Sequence, residues 1–478
     1  MKRFLWLGFV LCLYLICSGC GDTFRPIIIP NPPTFPNPKA AHTVVAINDN
    51  GTVTPGSAMV IDVSGDTDVS VVNVDIAPVH AVQQTANEVL VVNQAVTGLN
   101  VPTTSCLVTF PPTPPNQVFN VCSSITKLNF SGTVIGGTST ISLPIYSGAN
   151  FVAVAPTDTT AYVTLPTYPP DPTQPLNIVP SVGVVNTQSN NLVATIPVGN
   201  NPVALAVTPD KSKLYVANKG SNSISGFNTV DRSSRTVTGS FNAPLWVIAR
   251  SDSQRLYVLN GNGVVSTIDT TSSAGPDNVI DASVIAPNAA YMLYDGNKNR
   301  LYIPGGTQLT ILDVSQSTPV VLTGGPIAIP TVAPSSRVAS DPCSLTSPQT
   351  LTVAAVTALP DGSRAYVGAF YEDTTNNINY ICPQVTVVNV ANNTLKSPIA
   401  VPGFPAFDAF CSTTRFRVTM AAGGDSSRAY LASCDGGMVN IIDTASDTYV
   451  LNLPAPIGVR PGGQQNLPQN PVFLFAGP

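Results

Sequence analysis

Two histidines, His42 and His80, and two glutamates, Glu88 and Glu372, are the chain's whole stock of those residue types. Acid–base catalysis needs such groups held within hydrogen-bond reach of a substrate, and these four are scattered along the sequence. His80 lies in "PVHAVQQ", an alternating strand-like stretch; its expected role is a histidine bonded within a strand wall, with a channel-facing imidazole as the chemical alternative. Of the nine cysteines, Cys12, Cys17 and Cys20 fall in the first twenty residues. The other six are Cys106, Cys122, Cys343, Cys382, Cys411 and Cys434. An even number in an exported chain implies disulfides, of which sequence alone allows about 15 connectivities. Among these six no CxxC occurs and neither histidine is near one of them, so no metal is called for. "NDNG" at 48–51 and "GDTD" at 65–68 read as turn chemistry rather than calcium ligands. No cofactor is implied.

The composition says what must position these groups. Charged residues make up 10% of the 478 and hydrophobic ones 44%, with 45 prolines and 35 glycines, which favours short strands and turns over long helices. A net charge of −5 and no Lys/Arg cluster beyond the first residues argue against nucleic-acid binding.

The start, "MKRFLWLGFVLCLYLICSGCGD", has a basic pair, Lys2 and Arg3, and an apolar run from Phe4 to Ile16. That run is too short to span a bilayer, which needs about 20 apolar residues, and fits a signal peptide. Ser18-Gly19-Cys20 resembles the lipobox of bacterial lipoproteins, with Cys17 where an aliphatic residue is usual. The resemblance implies a signal peptide over 1–19, cleavage before Cys20 and a lipid on its thiol. The expected localisation is then the cell envelope, extracytoplasmic, with the membrane as a partner through that lipid. Residues 20–41 are proline-rich, a semi-rigid tether.

From residue 42 onward one pattern repeats. "LYVAN" from Leu214 returns as "LYVLN" from Leu256, "LYIPG" from Leu301, "AYVGA" from Ala365 and "AYLAS" from Ala429. Upstream it appears as "AYVTL" from Ala161, "LVVNQ" from Leu90 and "VVAIN" from Val44. A further strand ends each time in an Asx residue: Asp62, Asn129, Asn186, Asn228, Asp269, Asp313, Asn389 and Asp443. Four strands every ~42 residues are the signature of a β-propeller blade, and both series count to eight. Residues 43–77 lack an inner strand, which "VFLFAG" at 472–477 can supply. The expected fold is therefore all-β, a single propeller over 42–478 with eight four-stranded blades (seven as the alternative), closed by pairing of its ends. The repeat resembles the YVTN family of bacterial propellers, most clearly at "NPVALAVTPDKSKLYVANKGSNSISGFNT" (201–229).

Strand alternation sends the loops from strand two to three, and from one blade to the next, to one face. The insertions at 94–123, 165–181, 368–384, 331–350 and 403–415 all belong there, and loops this long are usually functional or disordered. Their cysteines are expected to pair as Cys106–Cys122, Cys343–Cys382 and Cys411–Cys434. Phe110, Phe119, Tyr168, Tyr371, Tyr380, Phe404, Phe407 and Phe410 lie among or beside their prolines and small polar residues, and of these Tyr168, Tyr371, Tyr380, Phe404, Phe407 and Phe410 are the candidate contacts for a protein or glycan ligand; a filling of the loops' own small cores is the alternative. Arg250, Asp295 and Arg417 read as turn and rim residues. The functional expectation is a binding scaffold. The runner-up is a hydrolase similar to the lactonases related to YVTN propellers, although no convergent His, Glu and Arg set is visible. A quinoprotein dehydrogenase would need a tryptophan in each blade, and only Trp6 and Trp246 exist.

Overall fold

The computed structural model describes residues 43–477 apart from 52–53, 95–106, 111–116, 121, 156–157, 172, 174–175, 346–349, 376–377, 407–410, 412–416 and 460–464. The leader, Cys20, the tether, His42, Cys106, Phe407 and Phe410 lie outside the described residues. No described helix is long and apolar enough to cross a membrane.

Eight four-stranded antiparallel blades follow one another around a ring. Blade 1 is composite. Its second, third and outer strands are Thr43–Asp49, Pro55–Asp62 and Thr67–Ile76, and its inner strand is Asn470–Ala476 from the far end of the chain. The pairing runs from Val44↔Ala476 through Ala46↔Leu474 to Asp49↔Asn470. Closure by the two ends is thus the observed arrangement, and eight blades rather than seven is the count.

The repeated Tyr explains why blades adhere. Tyr215, Tyr257, Tyr302, Tyr366 and Tyr430 stand at the same place in the second strands of blades 4 to 8, each with no exposed surface. Their rings fill the space between sheets, and some hydroxyls reach the neighbour. Tyr215 donates to Asp277 Oδ2 at 2.8 Å and Tyr366 to Asp447 Oδ1 at 2.6 Å. Two residues before each of these tyrosines stands a cation that sequence reading passed over: Lys213, Arg255, Arg300, Arg364 and Arg428. Each reaches into the next blade. Lys213 Nζ donates to Ser272 O (2.7 Å), Arg255 Nε to Ser317 O (3.2 Å), and Arg300 Nη1 to Val390 O (2.7 Å). Arg364 Nη1 donates to Asp447 Oδ1 (2.7 Å), and Arg428 Nε to Asp66 Oδ1 of blade 1 (3.0 Å). A ring with so few charges uses them as fasteners between blades.

The Asx residues cap turns as their spacing requires. Asp62, Asn186, Asp269, Asp313 and Asn389 each accept the N–H two residues on, at 2.9–3.1 Å. Hydrogen bonds from Ser315 hold the Asp313 carboxyl below its ordinary range. Asn228 departs from the pattern: its Oδ1 accepts Arg235 Nη1 at 3.0 Å instead. In "PDG" at 360–362, Gly362 takes φ +67°, a left-handed conformation costing other residues about 1–2 kcal/mol.

Removing the hydroxyl in Tyr366→Phe should cost about 1.5–3 kcal/mol, because it leaves a carboxylate short of a donor. Tyr430 Oη is buried with no hydrogen-bond partner among the described residues, so Tyr430→Phe should be nearly neutral. Paired urea denaturation curves check the contrast.

Candidate functional site

The loop-bearing face is built largely from the insertions. The 368–384 segment, expected as a loop, instead continues the blade 7 hairpin: Arg364–Thr375 pairs with Ile378–Asn389 out to Thr375↔Ile378. The second strand of that hairpin also pairs with Phe404–Pro405, making a raised platform. A hairpin the sequence did not announce, Ile457–Val459 with Gln465–Pro468, stands between blade 8 and the closing strand. Proline-rich sequence there hid its pairing.

Disulfides and one buried ion pair lock these pieces together. Cys343 is bonded to Cys382 and Cys411 to Cys434, with Cα–Cα distances of 5.8 Å in both. Cys122 is also in a disulfide, whose partner is not among the described residues. Arg337 and Asp341, 0% and 3% exposed, meet at 3.1 Å. Arg337 donates to Val401 O and Pro383 O, while Asp341 Oδ1 accepts the N–H groups of Cys343 and Gly403. Three separate segments thereby converge on one pair. A Cβ on Gly403 would come within 2.2 Å of Cys343 Sγ, so only glycine fits. Nearby, Arg417 holds Asp435 through Nε (2.7 Å) and Nη2 (3.1 Å) and also pairs with Glu372.

The aromatic candidates divide. Tyr371 is 1% exposed beneath the Arg337 guanidinium, and Phe404 is 6% exposed. Both rings serve the core under the platform, the bland alternative, and neither offers a contact surface. Tyr168 and Tyr380 are half-buried and pack on the cores of blades 2–3 and 6–7. What the insertions do expose is aliphatic: Leu176 (93%), Val338 (68%), Ile457 (61%), Ile378 and Ile178. The signal was present in the sequence as lone apolar residues amid Pro and polar runs.

Aromatic rings crowd the channel. His80 stacks on Phe151 with ring centroids 3.9 Å apart and leans on Phe473 of the closing strand at 4.8 Å. Phe151 meets Trp246 edge-on at 5.3 Å, and Trp246 meets Tyr291 at 5.1 Å. Burial pushes the Tyr291 phenol up. Rings on or just before the inner strands of blades 1, 2, 3, 5 and 6 thus make an arc, each contact adding about 0.5–1.5 kcal/mol. Beside the arc a cavity of about 40 Å³ remains, against Ala354, Ala355, Val418 and Met420. That is room for a few waters at most, since each needs about 10–15 Å³. His80 Nδ1 accepts the Val152 N–H at 3.5 Å. Glu88 pairs with Lys127 at 2.9 Å on the tight-turn face, and Glu372 belongs to the platform. The described acid–base candidates are therefore in three different places, and no catalytic set forms from them.

Arg250 and Asp295 are turn residues. Arg250 binds Asp252 and the carbonyls of Val314 and Gln316. Asp295 Oδ1 caps its turn by accepting the Asn297 N–H, while Oδ2 is buried with no described partner.

No protein-family model and no curated protein matches this sequence. Solved structures do match. A functionally unknown protein from Desulfotomaculum acetoxidans is 10% identical at a TM-score of 0.48, over 75% of this chain and 95% of that one. Hydrazine synthase from Kuenenia stuttgartiensis is 15% identical at 0.43, over 66% and 91%. The Cps50 (Swd1) β-propeller domain of Myceliophteria thermophila is 11% identical at 0.39, over 67% and 91%. The likeness carries nothing about function.

Burial raises the Asp295 pKa above its ordinary value. Ionising it in the fold therefore costs stability that is intact below that ordinary value and is lost as pH rises through the raised one. Asp295→Asn keeps the cap and cannot ionise, so it should raise the melting temperature at pH 7 and lose that advantage below about pH 4. Thermal melts across pH 3–8 measure this. Non-reducing peptide mapping should recover Cys343–Cys382 and Cys411–Cys434, with Cys122 joined to Cys106.

Proposed function

We propose that this chain is a binding scaffold of the bacterial cell envelope: a propeller of YVTN-type repeats, lipid-anchored through Cys20, that presents its loop-bearing face to a protein or glycan partner. The observation that carries the reading is the segregation of the two faces. The long insertions leave on one side, where two buried disulfides and the Arg337–Asp341 pair cross-link those that contain Cys343, Cys382 and Cys411. Rigid loops lose little entropy on binding, which favours affinity. Four insertions each expose an aliphatic residue there, Leu176, Val338, Ile378 and Ile457, and exposed apolar groups rimmed by polar ones mark interaction surfaces. The chain enters the ring at Thr43 on the opposite, tight-turn side. Lactone hydrolysis at the channel has little support, since the axis is occupied by His80, Phe151, Trp246 and Phe473.

Two measurements test this. Cys20→Ser should move the protein from the membrane fraction to the soluble one; retention in the membrane would remove the lipid from the proposal. Screening the full chain on peptide and glycan arrays should give binders lost when 166–180 is replaced by a short Gly-Ser turn. The ring should survive that change, because loop-closure entropy varies slowly with length. An unchanged array profile would place recognition elsewhere.

A further inference from the structure

The ring closes on one strand, Asn470–Ala476, and the side chain of its first residue is held by a disulfide. Asn470 is buried, and its Nδ2 donates to Cys411 Sγ at 2.9 Å and to Cys434 O at 3.1 Å. Cys411 and Cys434 are buried too and are bonded to each other. Cys434 directly follows Arg428–Ser433, the second strand of blade 8. The bonded pair shares one core cluster with Val45 and Ile47 of blade 1 and with Val472 of the closing strand.

The turn after Cys434 lies against the same stretch. A Cβ on Gly437 would come within 2.6 Å of Pro468 Cβ. Gln469 Oε1 accepts the Ser57 hydroxyl at 2.6 Å, and Ser57 Oγ accepts Asn48 Nδ2 at 3.2 Å. Contacts therefore run from the disulfide through Asn470 and its neighbour Gln469 to the second and third strands of blade 1. The other bond, Cys343–Cys382, belongs to a different cluster, that of blades 6 and 7.

We propose that the Cys411–Cys434 disulfide is a redox-operated latch on the ring: oxidised, it docks the closing strand, and reduced, it releases that strand. Thiol–disulfide exchange supplies the step. One thiolate of a dithiol attacks a sulfur of the bond, and its second thiolate displaces the mixed disulfide. Two electrons and two protons pass to Cys411 and Cys434, and the reductant becomes a disulfide. Glutathione disulfide reverses the change and leaves as two thiols. Two thiols need more room than a bonded pair, and a close-packed interior has little to give. Asn470 and Val472 must then shift. Both sulfurs are buried, so exchange proceeds through local opening of the seam. The latch does not depend on what the loop face binds.

Hydrogen–deuterium exchange of the full chain, read by mass spectrometry over 470–476, tests this. The buried 214–217 of blade 4 serve as reference, and iodoacetamide labelling scores which cysteines are reduced. Dithiothreitol should raise exchange over 470–476 by roughly tenfold or more while 214–217 stay protected. Glutathione disulfide should restore the protection. Cys343→Ser with Cys382→Ser removes the other bond and should leave 470–476 protected until dithiothreitol is added. Asn470→Ala keeps the disulfide and should raise exchange over 470–476 in the oxidised protein. No reduction of Cys411 and Cys434 in the folded chain, or unchanged exchange over 470–476 once they are reduced, would overturn the proposal. So would equal exposure of 214–217, protection that oxidation does not restore, or its loss in the oxidised Cys343→Ser, Cys382→Ser protein.

Discussion

A blade cannot stand alone. Each sheet is apolar on both faces, as the alternating second strands with no exposed surface show: Leu214 to Ala217 in blade 4 and Leu256 to Leu259 in blade 5 are buried on either side. Burial of such side chains is worth roughly 1.5–3 kcal/mol each, but only if a neighbour covers each face. The ring is the arrangement that gives every blade two neighbours, and it exists only because the closing strand pairs with Thr43–Asp49. The Tyr and cation fasteners act within that constraint. They set the angle between sheets, and Arg428 to Asp66 carries the same fastening across the seam.

Once the ring is closed, its two faces become different materials. The tight-turn face is fixed by local chemistry. Asp158, Asp210, Asp252, Asp361 and Asp425 each cap the turn after an inner strand by accepting the N–H two residues on. Adjacent turns are tied to one another, as Asp210 N is to Ser253 Oγ and Asp361 N to Ser426 Oγ. The other face is fixed by long-range chemistry. There the disulfides and the Arg337–Asp341 pair join segments far apart in the chain. A buried pair of this kind is weak evidence for stability, because desolvation offsets much of its attraction. Its four neighbours at Val401, Pro383, Cys343 and Gly403 point to a positioning role.

The channel follows the same logic of filling space. Propellers of eight blades have a wider axis than smaller ones, and here aromatic rings occupy it. His80 is part of that filling, stacked between Phe151 and Phe473, and so links the blade 2 wall to the closing strand. Where blades 7 and 8 contribute Ala354, Ala355 and Val418, a small void is left.

The number of blades, the closing strand and the face that bears the insertions were legible in the sequence, because each rests on local rules. Strand alternation, a turn cap two residues from its Asx and an unpaired strand at each end all act over a few residues. What the loops do with their side chains was not legible. Tyr371 and Phe404 look like contact residues in "AFYEDTT" and "PGFPAF", yet three insertions fold over them and leave Leu176 and Val338 outside. The blade 7 hairpin and the 457–468 hairpin were hidden for a similar reason, since their pairing depends on partners supplied by the tertiary structure.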